Sequence, residues 1–314
     1  MRRTRPVFLA RSRVIRELLQ HAERYAAADA NVLITGETGV GKDAMARFLH
    51  ASGPRCHQPF VVVDCPGLPS TLVEAELFGH ERGAFTDATM ARAGRLEAAG
   101  MGTIYLDAVG GLTADAQGAL LRAVEEKRVS RLGGTASIDI RARIVASAGA
   151  DIEAAVREGA FRTDLYHRLR VLPLLIPPLR ERREDILPLA GELILELAER
   201  LHRTPPTLGA DAAQALLRYR WPGNVRELRY ILERALVGGA GDEITSADLS
   251  QEVLEGHEAY LAPDGATRPT LVDVERRYIR ITLRHAGGSQ TEAARILGIS
   301  RKALWEKRKR YGME

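Results

Sequence analysis

The chain has 314 residues, of which 45% are hydrophobic and 27% charged, and its formal net charge is +4. This composition is that of a globular protein and excludes a disordered chain, and the length accommodates one large domain with one or two small ones. No apolar run approaches the roughly 20 residues that cross a bilayer, the N-terminus lacks a signal-peptide core, and the two cysteines form no metal or disulfide pattern, so we expect a cytoplasmic protein with no membrane partner.

The first part of the chain alternates between predicted helices and strands. Residues 11–28 predict an amphipathic helix with Val14, Leu18 and Leu19 on one face. Four short, β-branched runs predict strands that are buried on both faces, at residues 31–35, 60–64, 103–107 and 143–148. Helical stretches such as VEAELF and ADAQGALLRAVEE lie between them. This alternation predicts a parallel α/β sheet with helices on both sides.

The second part of the chain is predicted to be helical. Prolines in PLLIPPLRER, residues 173–182, interrupt regular structure, and no strand pattern follows them. We therefore expect four segments. They are an α/β subdomain at 6–178, a helical lid at 179–255, a flexible linker at 256–270 and a small helical domain at 271–314.

The sequence GETGVGKD directly follows the first predicted strand and begins a helix. Its glycines let backbone amides point at phosphate oxygens, the helix N-terminus adds a favourable dipole, and Lys42 supplies a mobile positive charge. This context favours a nucleotide site over a glycine-rich turn with a surface lysine. The predicted ATP-binding residues here are Gly36, Glu37, Thr38, Gly39, Val40, Gly41, Lys42 and Asp43.

Two carboxylates are candidate ligands of Mg²⁺, so the expected cofactors are ATP and Mg²⁺. Asp107 ends the strand TIYLD, which we expect beside the phosphate loop. We favour a metal role for Asp107 over capping of the following turn. Asp43 stands where a Ser or Thr hydroxyl normally holds the ion. Its carboxylate could reach the metal, but it also repels the triphosphate.

Further motifs resemble those of the bacterial enhancer-binding proteins, AAA+ ATPases that open promoters held by the sigma-54 form of RNA polymerase. ELFGHERGAFTDA, residues 76–88, is similar to the family's sigma-contacting loop, which normally ends GAFTGA. GTIYLD, FRTDLYHRL, PPLRER and WPGNVREL follow in the family's order and spacing. The resemblance implies an AAA+ P-loop parallel sheet with a helical lid, plus a small all-α helix-turn-helix domain.

The resemblance also implies roles for particular residues. Arg162 and Arg168 match arginine fingers that reach a neighbouring subunit's nucleotide; the alternative is an exposed helix with an Asp164–Arg168 pair. Arg226 matches a sensor arginine of the lid that acts on ATP. The expected partners are sigma-54 RNA polymerase and further subunits, in a hexameric ring or a mixed ring with a related subunit. The loop expected to contact sigma-54 consists of Gly83, Ala84, Phe85, Thr86, Asp87 and Ala88.

Four departures from the family pattern fall where the family hydrolyses ATP or contacts sigma-54. Ala108 replaces the Glu that activates water, and Asp64 replaces the Asn that holds this Glu. Ala148 and Gly149 replace a polar Thr-Asn pair, and Asp87 replaces a loop glycine. A missing general base typically costs about 10²–10⁴-fold, so we expect ATP binding with impaired hydrolysis. Asp64 as a substitute base, and Ala108 as an engineered change, stay open.

The excess positive charge lies at the C-terminal end, where residues 289–314 hold seven basic and three acidic residues. This segment predicts two helices separated by a turn at Gly298, the second capped by Ser300, and it resembles a Fis-type helix-turn-helix. The preceding helix carries apolar residues at 271, 274, 278 and 281, suited to packing or dimerisation. Arg308 stands where the family has an apolar residue. The side chains expected to contact DNA are Arg301, Lys302, Trp305 and Lys309.

The sequence therefore predicts an ATP-binding, sequence-specific DNA-binding transcription regulator of the sigma-54 activator type, acting from enhancer-like upstream sites. We expect no sensory domain ahead of residue 11. One alternative is a fully active ATPase that uses another base, such as Asp64. Another is an AAA+ remodelling enzyme without promoter function, against which the helix-turn-helix and the GAFTDA loop argue.

Overall fold

The computed structural model describes residues 10–66, 73–85, 88–239, 241–254, 271–286 and 289–312. The chain divides into two compact units, Met1–Leu254 and Glu255–Glu314. The strands, all in the first unit, are β1 (Val32–Thr35), β2 (Phe60–Asp64), β3 (Gly79–His80), β4 (Arg92–Ala93), β5 (Thr103–Asp107), β6 (Arg128–Ser130), β7 (Ser137–Asp139), β8 (Arg143–Ala148), β9 (Leu172–Leu175), β10 (Thr207–Leu208) and β11 (Glu243–Ile244).

The helices of the first unit surround these strands and continue beyond them. They are α1 (Arg13–Ala27), α2 (Lys42–Ser52), α3 (Val73–Phe78), α4 (Arg95–Ala98), α5 (Ala114–Glu126), α6 (Ile152–Arg157), α7 (Thr163–Leu169), α8 (Ile186–Arg200), α9 (Ala210–Arg218), α10 (Asn224–Val237) and α11 (Gln251–Leu254). The second unit contains α12 (Leu271–His285), α13 (Gln290–Leu297) and α14 (Arg301–Arg310).

A five-stranded parallel sheet in the order β2-β5-β8-β1-β9 organises the first unit. Successive residues of its central strands pack into different cores, since side chains alternate between the faces of a strand. Leu33 packs with one hydrophobic cluster and Ile34 with the other. The central strands are therefore buried on both faces, as their apolar runs predict, whereas in the edge strand β2 only Val63 is buried and the prediction is wrong.

The four predicted strands are confirmed, but the sequence pattern misses β9. This strand contains Pro173, which lacks the N–H that a central strand needs and is tolerated because β9 lies at the edge of the sheet. Strand β5, which ends in Asp107, is not an immediate neighbour of β1, the strand that precedes the phosphate loop. Strand β8 lies between β1 and β5.

Helix α1 packs on the sheet through a face that includes the predicted Leu18 and Leu19 but not Val14. Its N-terminus is capped by Ser12, and its buried residues are Ile15, Ala22 and Ala26. Val14 is 48% exposed, so its assignment to the buried face is wrong. The buried positions follow the helical repeat from Ile15, and the neighbouring Val14 is rotated away from the core.

The lid consists of α8 to α11 around its own hydrophobic core, in which Trp221 is fully buried. Its helical character is confirmed, with the addition of one short parallel pairing between β10 and β11. The lid also binds the start of the chain. Asp185 is buried and accepts hydrogen bonds from the backbone amides of Arg11 and Ser12, both at 2.7 Å, and from Ser12 Oγ at 2.6 Å.

The second unit is a small helical domain with a core of Ile279, Ala293, Ala294, Leu304 and Tyr311. Together the two units confirm the predicted fold class, an α/β parallel sheet with a helical lid and a C-terminal helix-turn-helix. Across the part of the chain that the structure describes, no helix is long and apolar enough to cross a membrane.

Candidate functional site

The phosphate loop connects the end of β1 to the start of α2. Gly39 and Gly41 take the left-handed backbone region, with φ of 79° and 106°, which residues with a side chain rarely adopt. Gly36 approaches the segment just after β9 so closely that an added Cβ would lie 2.7 Å from the carbonyl oxygen of Ile176. The glycines therefore permit a compact loop whose amides are available to an anion at the N-terminus of α2.

Lys42 lies at the centre of the charged groups of this site. Its Nζ donates hydrogen bonds to the carbonyl oxygens of Gly36 at 2.8 Å and Glu37 at 3.0 Å. Burial lowers the pKa of Lys42, the Asp107 carboxylate raises it, and the nearby Arg226 guanidinium lowers it further. The fold thus brings three predicted site residues together, although they are far apart in sequence.

Asp107 is held by two hydroxyl groups that the sequence analysis did not single out. Its Oδ1 accepts a hydrogen bond from Tyr105 at 2.8 Å and another from Ser147 Oγ at 2.5 Å. Both Tyr105 and Ser147 are fully buried, and burial raises the pKa of Tyr105, so the phenol stays a donor. These contacts fix the orientation of the Asp107 carboxylate at the carboxyl edge of the sheet.

Ala108, where the resemblance leads us to expect a glutamate, follows Asp107 in a left-handed conformation, with φ 53° and ψ 55°. Its amide donates a hydrogen bond to Ser147 Oγ at 2.8 Å. The Ser147 hydroxyl therefore connects the Asp107 carboxylate with the backbone of the next residue. Ser147 lies near the end of β8, directly before Ala148 and Gly149, which replace the polar pair of the family. This proximity to the replaced pair is the only sequence signal that could have pointed to Ser147.

The two other carboxylates proposed for the site lie at its margins. Asp64 is exposed at the end of edge strand β2 and is paired in register with Asp107. Three strand spacings of about 4.8 Å place it about 14 Å across the sheet from β1. Asp43 is exposed and pairs with Arg47 at 2.9 Å, one turn along α2.

The residues that resemble arginine fingers are both exposed, on or just before α7. Arg162 pairs with Asp164 through two hydrogen bonds of 3.1 and 2.8 Å. Arg168 donates to Glu125 on α5 at 2.8 Å. The alternative Asp164–Arg168 pair is therefore wrong, because Asp164 pairs with Arg162 and Arg168 pairs with Glu125.

The loop that resembles the sigma-contacting segment is described at Gly83, Ala84, Phe85 and Ala88, whereas Thr86 and Asp87 lie outside the described residues. Its two ends are joined by a hydrogen bond from the Gly83 amide to the Ala88 carbonyl at 2.8 Å. Arg131, which the sequence analysis missed, binds the base of the loop. It donates to Glu81 at 3.1 Å and to Glu97 at 2.9 Å.

The C-terminal unit has the geometry of a helix-turn-helix. Gly298 ends α13 with φ 66°, and Ser300 caps α14 by accepting from the Ala303 amide at 3.1 Å. The side chains predicted to face DNA are all exposed, with Lys309 Nζ 5.4 Å from the centre of the Trp305 ring. They are Arg301, Lys302, Trp305 and Lys309.

The remaining helix, α12, contributes Ile279 to the core of this unit and leaves Tyr278 44% exposed. Of the predicted apolar stripe, the side chains at 271, 274 and 281 lie outside the described residues. The last turn of α14, where Arg308 departs from the family, is secured by ion pairing of Lys307 with Glu275 at 2.5 Å. Tyr311 also donates a hydrogen bond to Glu275.

The described residues include no group of three or more His, Cys, Asp or Glu side chains that could hold a metal ion. Mg²⁺ commonly takes only one or two carboxylates, together with waters and phosphate oxygens of a substrate. The donor set around Asp107, beside a loop suited to phosphates, therefore fits an ion that arrives with a nucleotide.

Comparisons with known proteins divide the chain into three segments. Residues 8–175 match the Sigma-54 interaction domain, residues 180–264 the AAA+ ATPase lid domain, and residues 270–311 the bacterial regulatory protein, Fis family. The transcriptional regulatory protein ZraR of Klebsiella oxytoca is 43% identical over 298 residues, 94% of this chain and 67% of ZraR. The regulatory protein AtoC of Escherichia coli is 39% identical over 312 residues, 98% of this chain and 68% of AtoC.

A solved structure is also similar to this chain over nearly its whole length. The crystal structure of NtrX from Brucella abortus in complex with ATP has a TM-score of 0.74 and 32% sequence identity to this chain. The similarity covers 98% of this chain and 70% of NtrX. The order of the matched segments is the order in which the motifs occur in the sequence.

Proposed function

This chain belongs to the family of sigma-54-dependent transcriptional activators, and from that premise we propose that it regulates transcription through an ATP site that binds the nucleotide and hydrolyses it slowly. Family membership supplies an ATPase domain and a DNA-binding helix-turn-helix. The proposal of slow hydrolysis rests on this chain's own residues, above all on Ala108.

The observation that carries the proposal is that the groups expected to bind phosphate are present, whereas Ala108 offers no group that could activate water. The phosphate loop, Lys42 and the Asp107 carboxylate are all present and close together. The residue after Asp107 ends in a methyl group, which accepts no proton from water. Binding groups and the water-activating group are separate parts of such a site, so losing the second leaves the first intact.

The proposed ATP site consists of the loop amides, Lys42 and Arg226, with Asp107 holding Mg²⁺ and Asp43 as a second candidate ligand. When bound, the ion neutralises charge on the phosphate oxygens. Asp43 has an exposed position beside Arg47, so its own negative charge is partly offset. Asp64 is a weaker candidate for a substitute base: it lies beside Asp107, but it is exposed at the edge of the sheet, three strands from the strand that precedes the phosphate loop.

The proposed assembly is a ring, hexameric or mixed with a related subunit, in which Arg162 and Arg168 reach the neighbouring nucleotide. Support comes from their exposure and from the weakness of their present ion pairs, since exposed pairs contribute little. The proposed contact with sigma-54 is the loop Gly83–Ala88. Its Asp87 adds a charge where the family has glycine, so we expect this contact to be altered.

The proposal is tested by measuring ATP binding and ATP turnover on the same sample, at protein concentrations that allow ring formation. We expect saturable ATP binding with slow steady-state turnover. Fast turnover would contradict the proposed impairment, and absence of binding would contradict the ATP site itself.

For the DNA-binding unit, we expect the double substitution Arg301→Ala, Lys302→Ala to weaken binding to all duplexes. Log affinity decreases linearly with log salt concentration. If both side chains contact phosphates, the magnitude of this negative slope should decrease by about 1.8, or about 0.9 for each lost contact. Fluorescence anisotropy with labelled duplexes over a series of salt concentrations measures both quantities. The matched control is Arg276→Ala, an exposed arginine on α12. An unchanged slope in the double variant would remove α14 from the proposed interface.

A further inference from the structure

The lid hydrogen-bonds to three successive carbonyl groups on the outer side of the phosphate loop. The Thr38 oxygen accepts from Asn224 Nδ2 at 3.0 Å, and the Gly39 oxygen accepts from the Val225 amide at 3.0 Å. The Val40 oxygen accepts from Arg182 Nη2 at 2.7 Å. At these three positions the loop contacts the segment 179–225 through its own backbone.

These bonds have a consequence for the inner side of the loop. In a planar trans peptide, the carbonyl and the following N–H point in opposite directions. Fixing three carbonyls toward the lid therefore directs the amides of Gly39, Val40 and Gly41 the other way. Successive amides that point to one side form a concave site for anions.

Asn224 is the central residue of this contact. It is completely buried, and its Oδ1 accepts from the Leu179 amide at 2.7 Å while Nδ2 donates to both Thr38 and Glu37. Its backbone is left-handed, with φ 52°. A buried side chain that satisfies three groups can hold this unfavourable conformation, because the loss of any partner would leave a buried polar atom unpaired.

The approach of the two segments is as close as the backbone allows. A Cβ on Gly39 would lie 2.2 Å from the carbonyl oxygen of Gly223. Nearby, Trp221 fixes the turn to the lid core through a bond from Nε1 to the Leu216 oxygen at 2.9 Å. The position of the loop is therefore set by the packing of the lid.

A charge pair accompanies the backbone contact. Glu37 belongs to the phosphate loop, and its carboxylate accepts two hydrogen bonds from Arg180, at 2.8 and 2.6 Å. A bidentate pair of this kind offsets the negative charge of the carboxylate. Without Arg180, the loop would present an uncompensated carboxylate near the phosphates of a bound nucleotide.

We propose that the lid is the template that shapes the phosphate cradle, with Asn224 as a positioning residue for the loop amides and Arg180 as the group that neutralises Glu37. The ligand class is a nucleoside di- or triphosphate, and this inference rests on the proposed ATP site. The lid then contributes to phosphate binding through residues that need not touch the nucleotide.

The test is equilibrium binding of a fluorescent ATP analogue to the full chain. We expect Asn224→Ala to weaken binding about tenfold, the effect of roughly one charge-assisted hydrogen bond in the cradle. Asn224→Asp should weaken it further, because it loses both donors and adds a charge beside Glu37. Competition by adenosine, which has no phosphate, should be unchanged. The matched control is Asn31→Ala, whose side chain also donates to a backbone carbonyl, that of Arg168, at the other end of β1.

A second set of variants keeps the test decisive if Asn224 variants do not fold. Arg180 and Glu37 are only partly buried, so their substitution leaves the cores intact. We expect Arg180→Ala to weaken binding several-fold, and Arg180→Ala with Glu37→Gln to restore it. If Arg180→Ala, and every folded Asn224 variant, bind the analogue as the unmodified chain does, the template role is wrong. If the unmodified chain itself fails to bind, the proposed function fails instead.

Discussion

The substitution Ala108→Glu is expected to raise the steady-state rate of ATP turnover by about 10²–10⁴-fold, the usual contribution of a general base. The new carboxylate would follow Asp107 directly, in the position where the family carries its water-activating glutamate. The measurement is phosphate release by the unmodified chain and the variant, at equal concentrations that allow ring formation. The ATP affinity should change much less than the rate, because the groups that bind phosphate are untouched.

The backbone conformation at residue 108 is compatible with a glutamate side chain. Ala108 already adopts a left-handed conformation, with φ 53°, and its amide is bonded to Ser147 Oγ. Alanine and glutamate share the same restriction from a Cβ atom, so the substitution does not require a new backbone path. The matched control is Ala108→Gln, which has the same length and polarity but cannot take a proton. It should leave the rate low.

The alternative of a substitute base makes a different prediction for the same assay. If Asp64 activates water, the unmodified chain should turn over ATP rapidly, Asp64→Asn should abolish this activity, and Ala108→Glu should change it little. That combination would overturn the impaired-hydrolysis proposal. A low rate that is unaffected by Asp64→Asn would support it.

Lys42→Ala is expected to weaken ATP binding about 100-fold or more. The ammonium group lies inside the loop, bonded to the carbonyl oxygens of Gly36 and Glu37. It would exchange these contacts for phosphate oxygens, and each charge-assisted hydrogen bond contributes about 1.5–3 kcal/mol. Titration of a fluorescent ATP analogue measures the loss.

The matched control for this substitution is Lys127→Ala, which removes an exposed lysine at the end of α5. It should bind ATP as the unmodified chain does. DNA binding by Lys42→Ala, measured at low protein concentration, should be unchanged because the helix-turn-helix has its own core. Retained ATP affinity in Lys42→Ala would show that the glycine-rich loop is only a structural turn.

The sequence predicted the central strands correctly because each is a continuous apolar run, a pattern that depends on few residues. It missed β9, since Pro173 normally marks the end of regular structure and only an edge position tolerates it in a strand. It also placed Val14 in the core. That error arose because successive residues of a helix are rotated by about 100° around its axis, so Val14 and Ile15 cannot both face the core. Only the surface on which the helix packs decides which of them is buried.

For the candidate site, too, the sequence identified some residues directly and left the roles of others as predictions. The phosphate loop, Lys42 and the replacement at Ala108 were found from sequence, since each depends on consecutive residues with recognisable chemistry. The roles proposed for Arg162, Arg168 and the helix-turn-helix side chains stay predictions, which assays of assembly and DNA binding can test.

The sequence by itself determined the chain's family, the order of its segments and the chemical groups available for phosphate and DNA. Only the tertiary structure decided which distant groups act together: Ser147 with Asp107, and Asn224 with Thr38. The physical reason is that the sheet order does not follow the chain order, and the lid packs back onto the first loop. Contacts between residues so far apart depend on packing of the whole unit, which no local pattern records.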